Sequence, residues 1–136
     1  MGLIIGIEST AHTFSFGAVS SDGSDVLPSS SSLYRPEEGG IHPREAADHH
    51  VQSAGDLLGT AMDSWGANKD DVEAIAFSQG PGLGPCLRVG GAVARSMSMA
   101  LGVPLIGVNH CVAHIEIGRR TTGCDDPILL YVSGGN

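Results

Sequence analysis

A chain of 136 residues that is 41% hydrophobic can bury one core, and its 15 acidic against 7 basic side chains leave a net charge of -8. Such a surface repels phosphate, which excludes the isolated chain as a principal nucleic-acid platform. Three cysteines without paired spacing (Cys86, Cys111, Cys124) and the lack of an apolar run near about 18 residues predict reduced thiols in a cytoplasmic protein, with neither signal peptide nor membrane span.

Leu3 to Glu8 reads as a buried strand, and Thr13 to Val19 alternates apolar and small residues up to a turn at Ser21-Asp22-Gly23, which makes a hairpin. Asp25 to Tyr34 is expected beside it as an edge or irregular strand, because Pro28 lacks an N–H and four serines follow it. Arg35 to Ile41 is a loop. Pro43 suits the first turn of a helix, and Ala46, Ala47, Val51, Ala54, Leu57, Leu58 and Met62 form its buried stripe through about Ser64. Asn68 caps a short acidic turn before a strand from Val72 to Ser78. The glycine-rich turn Gly80 to Pro85 leads into a helix from about Leu87 to Leu101, where Gly90-Gly91 permits close packing on the sheet. A strand from Val103 to Val108, a helix capped by Asn109 and a last apolar strand from Pro127 to Ser133 complete the order β-β-β-α-β-α-β-α-β. Three antiparallel strands followed by alternating units is how one half of an actin-like or sugar-kinase-like ATPase begins.

The segment Asn109-His110-Cys111-Val112-Ala113-His114-Ile115-Glu116 sets two imidazoles four residues apart, one above the other on a helix face, so that both reach one ion. Zinc proteases carry a glutamate directly after the first histidine; here Cys111 stands there, and the protease general base is missing. Two histidines are a half-site that needs a third ligand from elsewhere, and packing or capping of the helix start is the alternative. Small-residue turns follow strands at Ser9 to Thr13, Gly80 to Gly84 and Ser133 to Asn136. None matches a known phosphate-loop or dinucleotide fingerprint, yet their placement at strand ends predicts a nucleotide cleft. Glu8 at a strand end can position a ligand hydroxyl or a water, or be held by backbone donors; with His12 it is a candidate catalytic residue. His42, His49 and His50 with Glu45 and Asp48 form no shared-ion site, since adjacent helical histidines diverge by about 100°, and surface or hydrogen-bonding roles are expected.

Gly6-Ile7-Glu8, Gly40-Ile41-His42-Pro43-Arg44-Glu45-Ala46-Ala47, Ser78-Gln79-Gly80-Pro81-Gly82-Leu83-Gly84-Pro85-Cys86-Leu87-Arg88, the His110 segment and Tyr131-Val132-Ser133-Gly134-Gly135-Asn136 together resemble the archaeal branch of the TsaD/Kae/Qri family. These are tRNA N6-adenosine threonylcarbamoyltransferases, once taken for O-sialoglycoprotein endopeptidases. The resemblance implies the ASKHA (actin-like ATPase, ribonuclease H-like) α/β fold, two pseudo-symmetric halves around a cleft. Residues 1–126 would be the first half, and residues 127–136 the first strand and phosphate-loop start of the second. The implied reaction moves threonylcarbamoyl from its adenylate to N6 of adenosine 37. The implied site holds one divalent metal, iron or zinc, on His110, His114 and Tyr131 with an aspartate from the second half. Threonylcarbamoyl-AMP or ATP would be held by Tyr131, Ser133, Gly134, Gly135 and Asn136. The implied partners are tRNA through an assembled complex, and the kinase-like and small dimerising subunits of a KEOPS-type complex. Full members run to more than twice this length, so a fragment inactive alone is expected, with a homodimer over the face that the second half would cover. A non-catalytic ASKHA scaffold is the alternative, against which the two histidines speak, and a metalloprotease is a remote one.

Overall fold

The computed structural model describes residues 2–132. Five strands and three long helices follow one another as β1 (Leu3–Glu8), β2 (Thr13–Ser20), β3 (Val26–Leu33), α1 (Pro43–Trp65), β4 (Val72–Gly80), α2 (Gly84–Leu101), β5 (Leu105–Asn109) and α3 (His110–Thr122). The strands form one mixed sheet in the order β3-β2-β1-β4-β5, antiparallel between β3, β2 and β1 and parallel between β1, β4 and β5. Strand alternation decides the two faces. Ile5 and Ile7 of β1, Phe14 and Phe16 of β2 and Ile75 of β4 are buried on one face, beneath Ala54, Leu57, Leu58 and Met62 of α1 and Val93 and Met97 of α2. Each such aliphatic or aromatic side chain contributes on the order of 1.5–3 kcal/mol on leaving water. Gly90 lets α2 settle onto the sheet, since a Cβ there would lie 2.0 Å from Ser9 Oγ.

Several boundaries differ from the sequence expectation for physical reasons. β3 forms as an edge strand despite Pro28, whose carbonyl accepts the Trp65 indole N–H at 2.7 Å and ties the end of α1 to it. α2 begins at Gly84 rather than Leu87, because Pro85 fits its first turn. β5 begins at Leu105 rather than Val103: the Val103 amide closes back on Ser98 O, and Pro104 O accepts from Ile75 N. Val51, expected in the buried stripe of α1, is 63% exposed. The strand expected from Pro127 to Ser133 is not formed over residues 127–132, which pair with no neighbour, and Ile128 is fully exposed. A strand needs a partner for its backbone groups, and no strand among the described residues offers one there. Ser133 lies outside the described residues.

Candidate active site

On the second face of the sheet, α3 stands over the ends of β1 and β4 and leaves a cleft of about 640 Å³. Its floor is made by Gly6, Gly17 and Ala76, and one end by Glu8, Ser78, His110 and His114. The start of α3 is fixed by Asn109, whose Oδ1 accepts from the amides of Cys111 at 2.9 Å and Val112 at 3.3 Å. The parallel register that pairs Ile7 with Phe77 brings Glu8 and Ser78, the next residues along, side by side.

Glu8 is the hub. Its Oε1 accepts from the Thr10 amide at 2.6 Å and from Thr10 Oγ1 at 2.5 Å. Its Oε2 accepts from Ser78 Oγ and, at 3.1 Å, from His110 Nδ1. Burial alone would raise the Glu8 pKa, but the hydrogen bonds from Ser78 and Thr10 and the charge of His110 together hold it below the usual carboxylate value of 4.5. The carboxylate can only accept, so His110 Nδ1 carries the hydrogen, and in the neutral ring Nε2 presents a lone pair. That Nε2 lies 3.0 Å from the Tyr131 hydroxyl and 3.1 Å from His114 Nε2.

A second imidazole nitrogen and a phenol oxygen thus both approach His110 Nε2, with a carboxylate behind that ring setting its tautomer. Ligands at about 2.0–2.1 Å from one tetrahedral ion stand roughly 3.3 Å apart, so His110, His114 and Tyr131 could hold such an ion. Among the described residues no group of three or more His, Cys, Asp or Glu side chains could do so alone.

Of the residues singled out in the sequence, Glu8, His110, His114 and Tyr131 come together here. His12 does not: it is exposed on the turn after β1 and lines no part of the cleft. Ser133, Gly134, Gly135 and Asn136 lie outside the described residues. The Gly80 to Gly84 turn packs against the Ser9 to Thr13 turn, and the Leu83 amide donates to Thr10 O at 2.7 Å, so that donor is engaged within the chain. His49 bonds Ser32 Oγ at 2.8 Å, as expected of a hydrogen-bonding residue. His50, expected in a surface or hydrogen-bonding role, does bond Ala11 O at 2.8 Å, but it is buried, because it points under the β1–β2 turn. Sequence reasoning quoted Thr10 within a small-residue turn and Ser78 within the resemblance, but missed their role as donors to Glu8; the signal available was their position at, or just past, the ends of two strands.

The family model for TsaD, tRNA N6-adenosine threonylcarbamoyltransferase, matches residues 26–136. The chain belongs to the TsaD family. A tRNA N6-adenosine threonylcarbamoyltransferase of Thermofilum pendens is 49% identical over 133 residues, which are 98% of this chain and 39% of that protein. The chain spans about a quarter to two-fifths of the length of the curated relatives it matches. Among solved structures, YeaZ from Pseudomonas aeruginosa superposes with a TM-score of 0.69 at 20% identity, covering 90% of this chain and 50% of YeaZ. RuvC of T. thermophilus, solved with a Holliday junction substrate, gives 0.52 at 13% identity, covering 93% of this chain and 82% of RuvC. These two likenesses place the TsaD-family chain in the ASKHA, ribonuclease H-like fold class. No helix of the described residues is long and apolar enough to cross a membrane.

Proposed function

We infer that the chain supplies one side of the active cleft of a cytoplasmic tRNA N6-adenosine threonylcarbamoyltransferase. In that reaction the N6 amine of adenosine 37 attacks the carbamoyl carbon of threonylcarbamoyl-adenylate, a C–N bond forms, the bond from that carbon to the phosphate oxygen breaks, and AMP leaves as N6 gives up one proton to solvent. The observation that carries the reading is the approach of the Tyr131 hydroxyl and His114 Nε2 to His110 Nε2, at 3.0 and 3.1 Å, backed by Glu8, in a chain of this family.

His110, His114 and Tyr131 would hold one divalent ion, iron or zinc, with a further ligand from outside the described residues. When bound, the ion supplies Lewis-acid charge that favours electron density building up on a carbonyl oxygen. Glu8 fixes the His110 ring and its tautomer. Asn109 holds the first turn of α3, and hence the height of both rings above the sheet. Ser133, Gly134, Gly135 and Asn136 would offer amides and a side chain to the nucleotide phosphates. The net charge of -8 supports a division of labour in which tRNA is bound mainly by partner subunits, the kinase-like and small dimerising components of a KEOPS-type assembly.

A zinc titration tests the site itself. The chain is expected to bind zinc weakly through His110 and His114, as fits an incomplete ligand set. His110→Ala/His114→Ala is expected to abolish that binding, and equal affinity for both proteins would remove the site from this account.

A further inference from the structure

Three successive carbonyls of the turn between β1 and β2 each accept from a different part of the chain. Thr10 O takes the Leu83 amide at 2.7 Å, Ala11 O takes His50 Nε2 at 2.8 Å, and His12 O takes the Tyr34 amide at 2.8 Å. The outer two ties are made by backbone and the middle one by a titratable side chain. His50 is 0% exposed, its ring centroid lies 5.3 Å from that of Phe14, and its Nδ1 has no partner among the described residues. An apolar ring would fill this space without stranding a buried nitrogen. What the imidazole adds is the N–H for Ala11. A carbonyl only accepts, so Nε2 carries the hydrogen and Nδ1 is bare.

We propose that His50 is a positioning residue for the Glu8 end of the cleft, clamping the β1–β2 turn through its neutral Nε2–H tautomer and releasing it on protonation. The turn carries both Thr10 donors to Glu8, and Glu8 in turn orients His110. The inference rests on the transferase reading in taking that pair as part of the working site. Protonation would add a buried N–H with no acceptor among the described residues. Burial pushes the His50 pKa below its ordinary 6.5, outweighing the bond to Ala11, which raises it. The opened form therefore takes the proton more readily: the clamp is intact above about pH 6.5 and lost as pH falls through the folded-state value. The titratable groups facing His50 are His49 on its own helix, Glu8 at the end of β1 and His12 on the turn, while β2 presents the ring of Phe14. Glu8, with its lowered pKa, stays ionised over this window.

The test is amide hydrogen exchange of Thr10, with Ile5 in β1 as the internal control, on the metal-free chain at about pH 7.5 and 5.5. After correction for intrinsic rates, Thr10 protection in the wild type is expected to fall on acidification, by up to about tenfold, the limit set by one pH unit below the open-state titration. His50→Phe keeps the ring and drops the donor, and is expected to be unprotected at both values. His50→Gln restores an N–H that does not titrate, and is expected to be protected at both. Wild-type protection in His50→Phe, an acid response retained in His50→Gln, or loss of protection in both variants would each overturn the proposal. If His50→Phe does not fold, His50→Gln decides alone: protection at both values supports the clamp, and any other result overturns it. Exchange is read without metal or tRNA, so failure of the transferase reading leaves the clamp standing. Wild-type exchange in His50→Phe sinks the clamp and leaves that reading untouched.

Discussion

Replacing Gly82 by alanine should damage the site from a distance, and the size of the effect follows from where the new methyl group would sit. A Cβ at Gly82 would lie 2.6 Å from Thr10 O, 2.8 Å from Thr10 Cβ and 2.9 Å from Thr10 Cα. Backbone atoms cannot swing aside as the tip of a flexible side chain can. The two turns must part, and the 2.7 Å bond from the Leu83 amide to Thr10 O stretches with them. Overpacking of this kind costs about 1–3 kcal/mol and a lost backbone hydrogen bond about 1 more, so Gly82→Ala is expected to destabilise by roughly 2–4 kcal/mol. For a chain of this size that is a fall in Tm on the order of 10 °C. Gly84 is the control two residues on: nothing lies within 4 Å of a Cβ added there, and it opens α2. Gly84→Ala is expected to be neutral or up to about 1 kcal/mol more stable, from helix propensity. Thermal and urea melts of both variants, followed by circular dichroism, make the comparison. A Gly82→Ala protein melting within about 2 °C of the wild type would refute the reasoning.

Two further outcomes are expected. Asn109→Ala removes the acceptor of the Cys111 and Val112 amides and should cost about 1 kcal/mol in urea unfolding, with weaker zinc binding as the first turn of α3 frays. Because the Glu8 pKa is lower in the folded state than the usual 4.5, the stability Glu8 contributes is present above that value and lost as pH falls through the folded one. Glu8→Gln should therefore unfold at lower urea than the wild type at neutral pH, with the gap narrowing as pH falls below 4.5; a gap that stays constant from neutral to acid pH would argue against an ionised, bonded Glu8.

Local signals carried most of the fold. Pro43 and the alanine-leucine stripe marked α1, Asn109 marked the start of α3, and the apolar run Leu3 to Glu8 with the alternation in Thr13 to Val19 marked the first hairpin. The 127–132 segment misled because Ile128 to Val132 has strand composition, whereas a strand is fixed by its neighbour. In the site, His110 and His114 were legible from their spacing, since one helix turn relates them. The link from Glu8 to His110 crosses 102 residues and depends on β1 and β4 pairing in parallel, which spacing does not encode. The burial of His50 was hidden for the same reason: its periodicity matches the inward face of α1, but its polar ring reads as surface until the β1–β2 turn is folded over it.

Formation of N6-threonylcarbamoyladenosine in tRNA, measured by mass spectrometry of nucleosides, tests the central claim most directly. The chain is given tRNA, threonylcarbamoyl-adenylate and, in trans, the part of the Thermofilum pendens relative that lies beyond the 39% matched here. The wild-type chain is expected to support modification in this mixture and not alone, and His110→Ala/His114→Ala to lower it by about two orders of magnitude. Equal modification by the wild type and the double variant would contradict the account, as would robust turnover by the 136-residue chain alone.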